Sequence, residues 1–252
     1  MISGTHALVT GGGTGIGKAI AMALAEAGVD VVISGRRKAE LEAVAGADRR
    51  ISCAIADVTD EAAMAALHQA AADNGKPFDI VVANAGMARS APAHKTTLAD
   101  WQQTLDVNLT GAFLTVKPAL AGMAERKAGR IVFIASIAGL KGGAYVAPYV
   151  ASKHGVIGLM RALAAELART GVTVNAVCPG FVETPMLEQS VQRIIAKTGR
   201  TAQEALATLI AGNPQSRTIQ PDEVAAAVMW LVSDGARSIT GQSISISGGE
   251  TW

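Results

Sequence analysis

THALVTGGGTGIGKAIAMALAEA, Thr5 to Ala27, is the stretch whose reading decides the fold. It opens on the apolar run Thr5–Thr10, stops at a glycine cluster, Thr10–Gly17, and continues as an alanine-rich helical run, Lys18–Ala27. A strand, a glycine turn and a helix in that order form the phosphate-binding unit of a dinucleotide-binding sheet. Gly11, Gly15 and Gly17 allow positive φ, close backbone approach and tight helix packing. Similar glycine turns occur without a nucleotide; the placement between strand and helix gives this one its weight.

The same alternation runs on through the chain. Val29–Ser34 reads as a second strand, after Gly28 ends the first helix. A site that prefers NAD(H) usually places Asp or Glu at the end of this strand, for the ribose 2′-hydroxyl. Here Gly35, Arg36 and Arg37 follow instead. Their guanidinium groups suit a 2′-phosphate, which favours NADP(H) over NAD(H), although both could simply begin the solvated helix Lys38–Ala45. Ile51–Ala56 is a third strand with Asp57 and Val58 at its carboxyl end. Asp57 can accept from an adenine amino group; equally, Asp57 or Thr59 could cap the next helix, Glu61–Asp73. Phe78–Ala83 is a fourth strand that runs into Asn84-Ala85-Gly86, small residues against which a cofactor can lie.

Trp101–Arg126 reads as one long helix interrupted by Asn108, which sits among Leu105, Leu109 and Phe113 and must find partners if buried. It is either a satisfied amide that kinks the helix or the holder of a water beside an active site. Arg130–Ala135 is a fifth strand ending at Ser136, and Val172–Val177 a sixth, closed by Cys178-Pro179-Gly180. Between them runs a helix from Pro148 to Arg169, in which Tyr149 and Lys153 stand at i and i+4 and so share a face. A nearby cation and a helix N-terminus both favour a phenolate, which would lower the Tyr149 pKa from its usual ~10 toward neutrality. Met186–Gly212 is helical in period but polar and broken at Gly199, so residues 183–213 read as a mobile substrate lid. Pro221–Ser233 is a further helix and Ser243–Ser247 a last strand. The fold class expected is α/β: a doubly wound parallel sheet of about seven strands with helices on both faces, one domain over residues 1–252.

Composition limits the alternatives. Hydrophobic residues make up 50% and aromatic ones 4%, so aliphatic side chains must build the core. The net charge of +1 argues against a nucleic-acid or membrane partner. Cys53 and Cys178 both lie in strand-like runs and read as buried thiols rather than a disulfide, and the scattered His6, His68, His94 and His154 predict no metal. No segment reads as a signal peptide or a membrane span, so the default location is cytoplasmic.

Taken together, the motifs resemble the short-chain dehydrogenase/reductase family in its compact single-domain form, over nearly the whole chain. The T-G-x-x-x-G-x-G turn at Thr10–Gly17, Asp57, Asn84-Ala85-Gly86, and Asn108, Ser136, Tyr149 and Lys153 in order and spacing carry the resemblance, with Pro179-Gly180 and Thr184 after them. Ala83 stands where the family often has a second Asn. The resemblance implies a Rossmann fold with catalytic Asn108, Ser136, Tyr149 and Lys153. It further implies dinucleotide contacts from Gly11, Thr14, Gly15, Ile16, Gly17, Asp57, Val58, Asn84, Ala85, Gly86, Tyr149, Lys153, Pro179, Gly180, Val182 and Thr184, beside Arg36 and Arg37. In such a site Tyr149 exchanges a proton with the substrate, Ser136 binds its oxygen, Lys153 holds the nicotinamide ribose and Asn108 anchors a relay water. A homotetramer is implied as well, through the helices at about Trp101–Arg126 and Tyr149–Arg169 and the last strand.

A narrower similarity is to reductases of β-ketoacyl thioesters, carried by GRIVFIASIAGLKGG (129–143) and the run from Ala147 to Met186. It implies a small-molecule substrate, a 3-oxoacyl or 3-hydroxyacyl thioester, with a sugar, polyol or other small secondary alcohol as the alternative. Met87–Pro92 lacks the glycine-rich loop common in polyketide ketoreductases, which argues against a fused-ring polyketide. Phe181, Met186, Leu187 and Leu140 are expected to line an acyl pocket or to pack the lid.

Overall fold

A computed structural model of the chain describes residues 1–251. Its centre is one parallel sheet of seven strands in the order β3-β2-β1-β4-β5-β6-β7. These strands are β1 (His6–Thr10), β2 (Asp30–Gly35), β3 (Ile51–Ile55), β4 (Ile80–Ala83), β5 (Gly129–Ile134), β6 (Val172–Pro179) and β7 (Ser243–Ile246). Crossover helices separate them: α1 (Gly15–Glu26), α2 (Lys38–Ala45), α3 (Glu61–Asp73), α4 (Leu98–Leu105), α5 (Gly111–Arg126) and α6 (Ala147–Leu167). After β6 come α7 (Pro185–Thr198), α8 (Ala202–Ile210) and α9 (Pro221–Leu231). The sheet is doubly wound, as expected.

Alternation along the strands explains the near-continuous apolar runs. Leu8, Val81, Ile131, Phe133 and Val174 face a core closed by α3, α5 and α6. Their neighbours Ala7, Val9, Ile80, Val82 and Val132 face the opposite core, closed by α1, α2 and α9. With both faces covered, successive residues are all buried, and strand patterning becomes a run of Val, Ile and Leu. The edge strand β3 departs from this. Cys53 there is exposed, not buried as its apolar surroundings suggest; only Cys178 is a buried thiol. An edge strand has a neighbour on one side only, and β3 keeps only Ile51 fully covered.

Three further readings are corrected locally. The long helix expected over Trp101–Arg126 is α4 and α5 joined by a π-turn, Asp106–Thr110. Neither Asp57 nor Thr59 caps α3: Asp60 does, accepting from the Ala63 N–H, while Asp57 folds back on the Thr59 N–H and hydroxyl. Helix α6 begins at Ala147, so Pro148 takes its second position, where a missing N–H is equally harmless.

The strand order reverses between β1 and β4, both paired in parallel with one another. At such a switch point the loops leave in opposite directions and open a crevice at the carboxyl ends. Leu8 is fully buried on the central strand β1, so Leu8→Ala should cost about 2–5 kcal/mol. Urea midpoints would measure it, and a loss below about 1 kcal/mol would contradict this packing.

Candidate active site

The crevice is tied together by polar groups at the ends of β1 and β4. The Thr10 hydroxyl accepts from the backbone N–H groups of Asn84 (3.1 Å) and Ala85 (3.2 Å). The Asn84 amide donates in return to the carbonyls of Thr10 (2.8 Å) and Gly11 (3.3 Å). Thr10 is fully buried; the sequence sets it at the head of the glycine motif but gives it no contact of its own. Its place immediately before the glycine turn was the available signal.

The turn itself has no room for side chains. A Cβ on Gly17 would stand 2.3 Å from the Gly11 carbonyl oxygen and 2.5 Å from Asn84 Nδ2. Gly11 and Gly15 take positive φ, 66° and 53°. The Thr184 methyl lies 2.9 Å from where a Gly15 Cβ would be, so Thr184, from the segment after β6, closes over the N-terminus of α1. Exposed N–H groups at a helix start above a glycine turn suit a pyrophosphate.

Around this turn the remaining residues expected to touch a cofactor fall into two groups. Arg36 lies 3.7 Å from Asp57, and Arg37 donates to the Thr14 hydroxyl (3.2 Å) while pairing with Glu40 (3.1 Å). Both guanidinium groups are largely exposed, at the same edge as Asp57. The Thr59 N–H holds the Asp57 carboxyl below the usual carboxylate range, with Arg36 adding to it. Buried Val58 packs against Gly111. A cleft of about 720 Å³ lies between Arg36, Asp57 and Thr59 and the Gln102–Thr110 side of the next helical segment. A second, of about 490 Å³, is lined by Gly15, Lys18, Thr184 and Pro185. Ile16 is half-buried in the first turn of α1 and packs on the core beneath it. On the other side, Gly86 approaches Lys153: a Cβ on it would be 3.7 Å from Nζ. At the end of β6, the Gly180 N–H donates to Ile246 and Val182 is buried in a bridge with Ile219.

Ser136, Tyr149 and Lys153 meet where β5 ends. Lys153 is buried and its ammonium donates to the Ile134 carbonyl at 2.8 Å. The same Nζ lies 5.7 Å from the centroid of the Tyr149 ring. The Ser136 hydroxyl accepts from the Ala138 N–H (3.1 Å) and donates to the Pro179 carbonyl (3.5 Å). The turn after Ser136 packs onto α6, since a Cβ on Gly139 would be 2.7 Å from the Lys153 carbonyl oxygen. Asn108, buried in the π-turn, uses its amide fully: Oδ1 accepts from the Met87 N–H (2.8 Å), and Nδ2 donates to the Met87 carbonyl and Ser152 hydroxyl (both 3.0 Å). The Asn108 amide is thus paired at both ends and ties the segment after Gly86 to α6.

The electrostatics correct one expectation. Burial raises the Tyr149 phenol above its ordinary value of 10.0, outweighing the Ser136 hydrogen bond that lowers it. Desolvation thus opposes the phenolate that a nearby cation and a helix N-terminus favour. Burial likewise brings the Lys153 ammonium down to about 8, and pushes the neighbouring Cys178 thiol up to about 11. Among the described residues no group of three or more His, Cys, Asp or Glu side chains gathers as a metal site, and no helix is long and apolar enough to cross a membrane.

Two outcomes follow for the site. Gly17→Ala must open the turn, and the variant is expected to fold but to bind NADPH at least ~10-fold more weakly by fluorescence titration; an unchanged Kd would contradict the cradle. Lys153 has a folded pKa of about 8 against an ordinary 10.5, so its charged form is disfavoured by folding. That cost is fully present below pH 8 and is relieved as pH rises from there to 10.5. Lys153→Met should therefore leave the cofactor-free protein at least as stable at neutral pH while abolishing turnover. A stability loss above about 1 kcal/mol in urea would contradict the uncompensated burial of this charge.

Comparison with known proteins agrees with this arrangement. The short chain dehydrogenase family profile matches residues 5–194. The chain is 42% identical over 255 residues to a Streptomyces coelicolor protein assigned as a ketoacyl reductase, covering 96% of this chain and 95% of that one. It is 39% identical over 245 residues to an acetoacetyl-CoA reductase of Shinella zoogloeoides, with 97% of each covered. Among solved structures, a point variant of actinorhodin polyketide ketoreductase with NADPH superposes with a TM-score of 0.93 at 38% identity, over 98% of this chain and 97% of that one. With the glycine turn at the switch point and the Ser-Tyr-Lys group beside it, the chain belongs to the short-chain dehydrogenase/reductase family, as an NAD(P)-dependent oxidoreductase of ketones and alcohols.

Proposed function

We propose that the enzyme reduces the 3-keto group of an acyl thioester with NADPH, or oxidises the 3-hydroxy group in reverse, using Tyr149 as the acid or base. The observation that carries this reading is the meeting of Ser136, Tyr149 and Lys153 at the sheet edge that also bears the glycine turn. Arg36 and Arg37, exposed at the end of β2 with no acidic residue at positions 35–37, support a 2′-phosphate on the cofactor. The NADPH in the actinorhodin ketoreductase structure is consistent with that. The thioester rests on relatives named for ketoacyl and acetoacetyl-CoA reduction. Polyketide ketoreductases are also among the relatives, but the MARSAP stretch at 87–92 has no glycine-rich loop to receive a fused ring system.

The chain's own groups divide the work. The N-terminus of α1 and the Gly11–Gly17 turn would hold the pyrophosphate, and Asp57 and Val58 the adenine. Asn84, Ala85 and Gly86 would lie along the ribose side, and Pro179, Gly180, Val182 and Thr184 would take the carboxamide. When bound, the nicotinamide supplies or receives the hydride. Ser136 donates to the substrate carbonyl oxygen and fixes its position against Tyr149. The Tyr149 hydroxyl, protonated through burial, gives its proton to the oxygen as charge develops there. Lys153, largely charged at neutral pH, steadies the phenolate left behind. Helices α7 and α8, over about residues 183–213, would close over the substrate and expel water. A cytoplasmic homotetramer is part of the same reading.

The test is a screen of NADPH and NADH against acetoacetyl-CoA, small diketones and keto-sugars, with alcohol oxidation in parallel. NADPH with acetoacetyl-CoA is expected to give the highest kcat/KM, by about tenfold or more; preference for a keto-sugar or polyol would sink the thioester assignment. Tyr149→Phe should keep NADPH binding and lose about 10²–10⁴-fold in kcat. Near-normal turnover would remove Tyr149 from its role.

A further inference from the structure

The Ser136 hydroxyl is held between two segments: its own turn, through the Ala138 N–H, and the end of β6, through the Pro179 carbonyl. Both are joined a second time by a residue near the end of the chain. The turn after Ser136 ends at Lys141, whose N–H is bonded back to the Ile137 carbonyl (2.9 Å). The Lys141 ammonium donates to Glu250 Oε1 at 2.8 Å. The other carboxylate oxygen, Oε2, lies 3.7 Å from where a Cβ on Gly180 would be, next to Pro179. Oε1 also lies 2.7 Å from the corresponding point on Gly212, at the end of the α7–α8 segment. One carboxylate thus binds the Ser136 turn through Lys141 and lies beside the β6 end and the base of the helical arm.

The pair links two segments that are distant in sequence, beside a third. The Glu250 side chain is 8% exposed, and among the described residues Lys141 is its only cation within 4.0 Å; Lys141 itself is 41% exposed. Burying a carboxylate is costly, and replacing a buried ion pair by apolar side chains of similar size is often neutral or stabilising. Stability therefore gives little reason for this pair. A charge-assisted bond does fix a distance and direction that an apolar contact leaves loose. The tail is shaped to deliver it: Gly248 and Gly249 take φ of 62° and 91° and turn the chain back after β7. Glu250 also lies beyond the stretch matched by the family profile, residues 5–194.

We propose that the Lys141–Glu250 pair is a positioning strap that sets the Ser136 hydroxyl, making Glu250 and Lys141 positioning residues for the reaction. This rests on the role given to Ser136 under the proposed function. A serine displaced by about 1 Å loses its alignment with the substrate oxygen, worth roughly 10²-fold in rate.

The test uses the full chain with Glu250→Gln, Lys141→Met and the apolar double variant Lys141→Met/Glu250→Leu. Each single change is expected to lower kcat on acetoacetyl-CoA about 10–100-fold, with NADPH Kd unchanged within about twofold. The double variant should recover the parental melting temperature but not kcat. An unchanged kcat in Glu250→Gln overturns the proposal, as does recovery of kcat together with stability in the double variant, which would make the pair merely structural. Hydrogen exchange supplies a readout free of turnover: the Ala138 and Gly139 amides should exchange faster in Glu250→Gln, and unchanged protection counts against the strap. If the parent protein binds NADPH yet reduces no ketone, the proposed reaction fails while exchange still judges the strap.

Discussion

The hydrogen bonds between Thr10 and Asn84 are the constraint on which the rest of this molecule depends. They join the ends of β1 and β4, the two strands between which the order of the sheet reverses. Without them the glycine turn after β1 and the Asn84–Gly86 segment after β4 could drift apart. With them, the glycine turn and the Ser136, Tyr149 and Lys153 group are held in a fixed relation along one crevice. Gly17 is compressed against Gly11 and Asn84 from one side, and Gly86 reaches toward Lys153 on the other. The two aliphatic cores above and below the sheet supply the rigidity that makes a few polar bonds sufficient.

Burial then decides the chemistry of the catalytic group. Tyr149 and Lys153 share a face of α6 turned to the ends of β5 and β6, with Lys153 buried and Tyr149 half-buried. The low-dielectric setting disfavours both the phenolate and the ammonium, so the phenol is raised and the lysine lowered to about 8. The Lys153 ammonium donates to a main-chain carbonyl, that of Ile134. In the proposed reaction the phenol gives up its proton as negative charge develops on the substrate oxygen.

Most of this was legible in the order of residues, for a physical reason. Parallel sheets bury both faces, so strands announce themselves as aliphatic runs, and glycines that leave no room for a Cβ cannot be disguised. Ser136, Tyr149 and Lys153 could be found because i and i+4 share a helix face and strand ends define one edge. What escaped was contact between distant segments. Thr10 was given no contact of its own because its partner, Asn84, is far along the chain. Cys53 looked buried because an edge strand has the same composition as an inner one. Asn108 could be read two ways because a π-turn has no periodic signature, and Asp60 lost its capping role to Asp57 and Thr59 because all three compete within one turn. Glu250 carried no signal at all until Lys141 was seen opposite it. The sign of the Tyr149 shift was missed too, since sequence shows the neighbouring charge but not how far the phenol hydroxyl is removed from water.

The central claim is that desolvation holds the Tyr149 phenol above its ordinary pKa in the ligand-free protein. The chain has two tyrosines, Tyr145 and Tyr149, so Tyr145→Phe leaves a single phenol to follow. Ultraviolet titration of the phenolate in that variant, without ligand, should give a midpoint above the ordinary value of 10.0. A midpoint below it would contradict the account, because Lys153 and the helix N-terminus would then outweigh burial.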